Sequence, residues 1–171
     1  MKFQAQFEQW VPIPLEQVFL FFANPDNLPR LMPPGTTTIR ELKLVPPPAI
    51  EDVGSRGLAG VGSEINTEVR PVPWLPFRTK WVALITEYEW NHHFADTQKQ
   101  GPFRSFHHRH EFAAETRGAI TGTRVRDRIE YELGFGLLGD LAQKLFVTKQ
   151  LRRTFEYRQA VLETLLTCRM Q

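Results

Sequence analysis

The chain has a single cysteine, Cys168, and so nothing to pair with inside its own sequence. A disulfide framework and a cysteine-based metal knuckle are both excluded. Long hydrophobic runs are missing as well. The longest, Val18 to Ala23, is far short of the roughly 18 residues that a membrane span needs. The opening residues Met1-Lys2-Phe3-Gln4 alternate from the start and carry no apolar leader, so a reducing, cytoplasmic setting is the expectation. Charge of one sign is scarce: the net charge is +2, which gives no bulk pull toward nucleic acid. What is present is an ordinary globular composition, 42% apolar and 23% charged, over 171 residues. That length suits one domain spanning 1–171 with its own core. Two counts stand out, 13 phenylalanines and 15 arginines against 6 lysines.

Phe3, Ala5 and Phe7 alternate with polar neighbours, the period of a half-buried strand. After Pro12 and Pro14, the residues Leu15, Val18, Phe19 and Phe22 fall on one face of a short helix, which Asn24-Pro25 ends. A second helical turn holds Leu28, Leu31 and Met32. Six strands then follow: Thr37–Val45, Ser63–Val69, Lys80–Trp90, His93–Gln98, Phe103–Ala113 and Thr123–Leu133, with Gly- and Pro-rich separators. The one long separator, Pro46–Gly62, has the length of a functional or mobile loop. From Leu138 onward about 30 residues lack a helix breaker. Leu138, Leu141, Leu145, Phe155, Leu162 and Leu166 make the stripe, with Lys144, Lys149, Arg152, Arg153 and Arg158 mostly on the wet side. Consecutive strands with short turns predict an antiparallel sheet, and one long helix can cover its face, which is a two-layer α+β domain.

Gly134 to Gly139 reads G-x-G-x-x-G, but no second parallel strand follows it, so a flexible turn explains it better than a dinucleotide site. Arg124, Arg126 and Arg128 form a basic row on one strand face. Glu111 and Glu130 interrupt that row and no aromatic platforms share it, so a solvated sheet surface is the simpler reading. All five histidines lie between His92 and His110. His108 and His110 share a strand face with Phe106 and Phe112, while Asp127 lies on the apolar face of the next strand. A lone carboxylate there needs a partner, and His108 or His110 is the natural one. The cluster fits a hydrogen-bonded network lining a pocket, a carboxylate-oriented imidazole for acid–base chemistry, or a facial metal triad.

Further motifs run Phe94-x-Asp96-x-Gln98-x-x-Gly101-Pro102-Phe103, then Phe106-x-His108-x-His110-x-Phe112, then Asp127-x-x-x-Tyr131. With Phe155-x-Tyr157-Arg158 and Val18–Phe22 before Asn24-Pro25 and Leu28, they resemble the ligand-binding SRPBCC proteins. These form the START-like helix-grip superfamily, which also holds polyketide cyclases/dehydrases and lipid carriers. Phe106 stands where that branch would carry Trp. The resemblance implies a seven-stranded antiparallel sheet wrapped around a long C-terminal helix, with two short helices after the first strand and an internal cavity.

Its leading implication is binding or carriage of a hydrophobic small molecule, lipid, quinone or polyketide-like. Trp81, Ile85, Phe94, Phe106, Phe112, Tyr131 and Phe155 would be the walls, and Asp96, His108, His110 and Asp127 the orienting polar groups. The alternative is a cyclase/dehydratase that uses His108, His110 and Asp127 as its acid–base machinery. No metal, cofactor or nucleic acid is expected in the leading reading, and a monomer or weak homodimer is. Transient membrane contact is left open. A third class, an interaction module, has only the length of the Pro46–Gly62 loop in its favour.

Overall fold

The computed structural model describes residues 2–48, 57–70, 77–134 and 146–167. Alternation in the first ten residues produces β1 (Lys2–Val11), whose Phe3, Ala5 and Phe7 turn inward. Pro14 then caps α1 (Leu15–Ala23), its carbonyl accepting the Val18 N–H at 3.2 Å. Val18, Phe19 and Phe22 are buried as expected, and so is Phe21. The reason is the following 3-10 helix (Pro25–Leu31), which folds back on that side: Asn27 Nδ2 donates to the Phe21 carbonyl at 2.8 Å.

The rest of the sheet is a meander of β2 (Thr37–Lys43), β3 (Glu64–Val69), β4 (Thr79–Glu89), β5 (His93–Gln100), β6 (Ser105–Arg117) and β7 (Ile120–Glu132). Every neighbour is antiparallel, in the order β1-β7-β6-β5-β4-β3-β2, so the first strand closes onto the last. Register shifts at Ile39/Glu41, Val82/Ala83 and Ile85/Glu87 bend the strands of the β2 side. The β6–β7 hairpin is longer than expected, because the turn is only Gly118-Ala119, with Gly118 at φ +61. Gly122 belongs to β7 instead. A Cβ there would stand 2.2 Å from the Val11 carbonyl oxygen, so this glycine permits the close approach of β1.

The C-terminal helix α2 (Thr148–Thr167) packs across the inner face of the sheet. A reciprocal amide clamp ties it to β1: Gln9 Nε2 donates to the Gln159 carbonyl and Gln159 Nε2 to the Glu8 carbonyl, at 2.9 and 3.1 Å. The expected first third of this helix, with Leu138, Leu141 and Leu145, lies outside the described residues. So do Gly-rich positions 135–139, Cys168 and loop residues 49–56. The described limb of that loop is held in place. Ala59 N–H donates to the Ala23 carbonyl, Gly60 to Val45, and Gly62 to Ile85.

Among the described residues the buried apolar side chains form three separate clusters. One, around Phe19, joins α1, the ends of β5 and β6, and Leu162 and Leu166. A second lies under Ile65 and Ile85, and a third joins Tyr131 and Phe155. A space remains between them.

Candidate functional site

That space is a cavity of about 480 Å³, within the usual range for small-molecule pockets. Its wall is mostly apolar. Strands β4 to β6 supply one side, the α1 end and 3-10 helix another, and α2 the roof. Five of the seven expected wall residues line it: Trp81, Ile85, Phe94, Phe106 and Phe155. Phe112 and Tyr131 have the right face but are packed away from the cavity. Phe112 sits among Phe19, Phe22 and Phe94, with ring centroids 5.1 to 5.8 Å apart, and Tyr131 lies 5.4 Å from Phe103. Neither reaches the wall.

Three of the four expected polar groups, Asp96, His108 and His110, do line the cavity. They converge because β5 and β6 place Asp96 directly opposite His108, with His110 two residues along on the same face. Asp127 lies one strand further, opposite His110 and behind both imidazoles. Its Oδ1 is 2.9 Å from His108 Nε2, 2.6 Å from His110 Nδ1 and 3.0 Å from Arg158 Nη1. The buried carboxylate expected to take one histidine therefore takes two, together with an arginine.

Arg158 was expected on the wet side of the helix and is instead only 6% exposed. The signal was available. It lies three residues after Phe155 and four before Leu162, so it belongs to the apolar stripe by spacing. Its guanidinium also caps the Phe155 ring at 4.6 Å.

Burial raises the Asp127 carboxyl, but the guanidinium and the two imidazoles outweigh it and hold the group well below the usual carboxylate range. Burial pushes His108 and His110 below their ordinary value, helped at His108 by its neighbour His110. The favoured state is thus ionised Asp127, Arg158 cation and two neutral rings, a cluster that is neutral overall. With the His108 Nε2 proton directed at Asp127, its second nitrogen, Nδ1, is left as an acceptor. Burial raises the Asp96 carboxyl, whose Oδ1 is 3.9 Å from His108 Nδ1.

An open antiparallel sheet folded against a C-terminal helix, with a cavity between them, defines the helix-grip class. The chain belongs to the polyketide cyclase / dehydrase and lipid transport family, whose model matches residues 11–157. Among solved structures it is similar to TTHA0849 from Thermus thermophilus, at 20% identity and TM-score 0.69, covering 98% of this chain and 99% of that one. A START superfamily protein from Mycobacterium smegmatis is similar at 13% identity and TM-score 0.64, over 96% and 97% of the two chains. A norcoclaurine synthase from Thalictrum flavum follows at 14% identity and TM-score 0.61, over 100% and 98%. These likenesses establish the START/Bet v1-like fold. No curated protein sequence matches the chain. Among the described residues, no helix is long and apolar enough to cross a membrane.

Proposed function

We propose that the chain, acting as one domain over 1–171, binds or carries a hydrophobic small molecule such as a lipid, quinone or polyketide-like compound. The observation that carries this reading is the mostly apolar cavity of about 480 Å³ under α2, with its buried polar groups gathered around Asp96 and His108. The family's breadth, which includes lipid transport, agrees with it. The single cysteine suits a reducing cytoplasm. A monomer or weak homodimer fits a sheet whose outer strands are β1 and β2.

Titration with N-phenyl-1-naphthylamine, a neutral dye that brightens in apolar surroundings, tests the reading. Saturable uptake near one equivalent is expected, displaced by long-chain fatty acid or a quinone. Ala83→Phe places a ring into the cavity from β4 and weakens uptake at least about tenfold, which is about 1.4 kcal/mol. Equal uptake by both proteins overturns it.

A cyclase or dehydratase is the second reading, and one arrangement favours it. With Nε2 of His108 held by Asp127, its Nδ1 faces the Asp96 carboxyl, an acceptor opposite an acid. Turnover of polyketide aldol substrates that falls in Asp96→Asn, while dye uptake persists, selects this reading over carriage.

A further inference from the structure

In the sequence a facial metal triad of His108, His110 and Asp127 is one of three readings of the cluster, beside a hydrogen-bonded network and acid–base chemistry, and the leading reading expects no metal. The structure rearranges that triad. Asp127, on the same inner face, is covered by the two rings and Arg158, and the carboxylate that lines the cavity with them is Asp96. One donor atom from each of Asp96, His108 and His110 lies within 4.8 Å of the other two.

We propose that Asp96, His108 and His110 bind one divalent first-row transition metal ion, of the Zn²⁺ or Fe²⁺ class, at the floor of the cavity.

Four features support it. The donor set is two imidazoles and one carboxylate with no thiolate, a combination that suits zinc or non-haem iron and leaves coordination positions open. Those positions face the cavity, where a ligand oxygen can reach them. Second, both rings lie against one carboxylate oxygen, Asp127 Oδ1, which His108 Nε2 hydrogen-bonds at 2.9 Å and His110 Nδ1 approaches at 2.6 Å outside hydrogen-bond alignment. A carboxylate behind a histidine fixes the tautomer and aims the remaining lone pair, as metal-ligating histidines commonly require. Here Asp127 does this for His108, with the His110 ring packed against the same oxygen. Third, Arg158 neutralises Asp127, so the supporting carboxylate does not compete for the ion.

The fourth feature is Asp96 itself. Its carboxylate makes no hydrogen bond among the described residues, and its closest basic atom is His108 Nδ1 at 3.9 Å. Bonds of about 2.0–2.2 Å to a common ion place donors roughly 3–3.5 Å apart, so donors now within 4.8 Å of one another have to draw together only modestly on binding. The histidines of the opposite sheet face are differently occupied. His93 and His107 both lie against Glu87, which also pairs with Arg109 at 2.9 Å.

The test uses the full chain, stripped with chelator, and Co²⁺ as a visible probe. Expected is a saturable d–d absorption at one equivalent that Zn²⁺ displaces. Asp96→Asn, isosteric and outside the Asp127 contacts, should weaken Co²⁺ binding by at least about the 10–100-fold that supporting residues alone are worth at metal sites. Its unchanged thermal midpoint without metal shows that the fold is intact, and Asp96→Ala serves if that midpoint moves. His107→Ala should leave the absorption as in the wild type. Absence of saturable absorption, equal affinity in the Asp96 variants, or loss of the signal in His107→Ala overturns the site. Dye uptake into the cavity is read separately. A protein that takes up naphthylamine but no cobalt refutes the metal and leaves the carrier reading standing.

Discussion

On the outer face of β6 and β7, Arg126 Nε meets Glu8 at 2.8 Å, Arg124 Nε meets Glu115 at 3.0 Å, and Glu111 lies near Arg109, Arg126 and Arg128. On the inner face of the same strands, Asp127 gathers Arg158, His108 and His110 around one oxygen. Both faces balance opposite charges at similar distances. They differ in access to water: the Arg128 side chain is 51% exposed and that of Glu8 38%, whereas Asp127 is 4% exposed and Arg158 6%. Outside, each partner has water as an alternative, so a pair is replaceable. Inside there is no alternative, and removing one member strands the other in a dry site. The contrast also disposes of the arginine row as a free phosphate track, since Arg124, Arg126 and Arg128 are already matched to glutamates.

The sharpest way to break this contrast is Arg158→Met, which keeps an apolar stem over Phe155 and deletes the charge. Stability should fall by about 3–5 kcal/mol in urea unfolding at pH 8, where the imidazoles are neutral and cannot substitute. Adding Asp127→Asn to that variant should recover at least half of the loss, because the stranded charge is then gone. A loss below about 1 kcal/mol would mean that the inner pair behaves like a surface pair.

Acid gives the next largest effect, and it separates the faces without mutation. His108 and His110 titrate below their ordinary value when folded, so the unfolded chain binds protons that the folded inner face refuses. Stability is therefore fully present above about pH 6.5 and declines as the pH falls through that value. The slope is roughly 1.4 kcal/mol per pH unit for each ring. Asp127, depressed in the folded state, adds its own loss only below about pH 4. Asp96 works in the opposite sense. Burial raises it, so the folded state takes up its proton first and softens the decline above about pH 4. Urea midpoints between pH 8 and 5 measure the net slope. A flat profile would show that the rings are not held neutral.

Much of this arrangement was legible before the structure. Strand alternation put Asp127 with Ile129 and Val125 on the buried face, and a buried carboxylate demands a partner, which led to the histidines. Separator spacing placed every strand to within a few residues, except where Gly122 served packing against β1 rather than a turn. The errors share one origin. Periodicity assigns a face but not a depth. It could not show that the His108 and His110 rings and Phe103 cover Asp127 and Tyr131, so that of β7 Ile129 reaches the cavity while Asp96 of β5 stands in the wall. Arg158 was misread for a related reason. Its charge argued for water while its spacing from Phe155 and Leu162 argued for burial, and only a partner as strong as Asp127 lets the spacing prevail. The cavity volume has no local signature, since it depends on how far α2 stands from the sheet.

The smallest expected effect belongs to the outer face. Glu111 lies 3.4 Å from Arg128, 3.6 Å from Arg109 and 3.9 Å from Arg126, more basic neighbours than any other outer carboxylate of the hairpin. By counting pairs, Glu111→Gln should be as damaging as Arg158→Met. Access to water argues otherwise. Arg126 keeps Glu8, Arg109 keeps Glu87, and Arg128, half exposed, is solvated. The loss should stay below about 1 kcal/mol at low salt. It should vanish near 1 M salt, where the Debye length shrinks to about 3 Å. The Arg158→Met loss should persist at that salt, because the buried pair is beyond the reach of screening ions. Paired urea curves for the two variants at both salt concentrations decide it: equal losses, or equal salt sensitivity, would show that burial is not what separates the two faces.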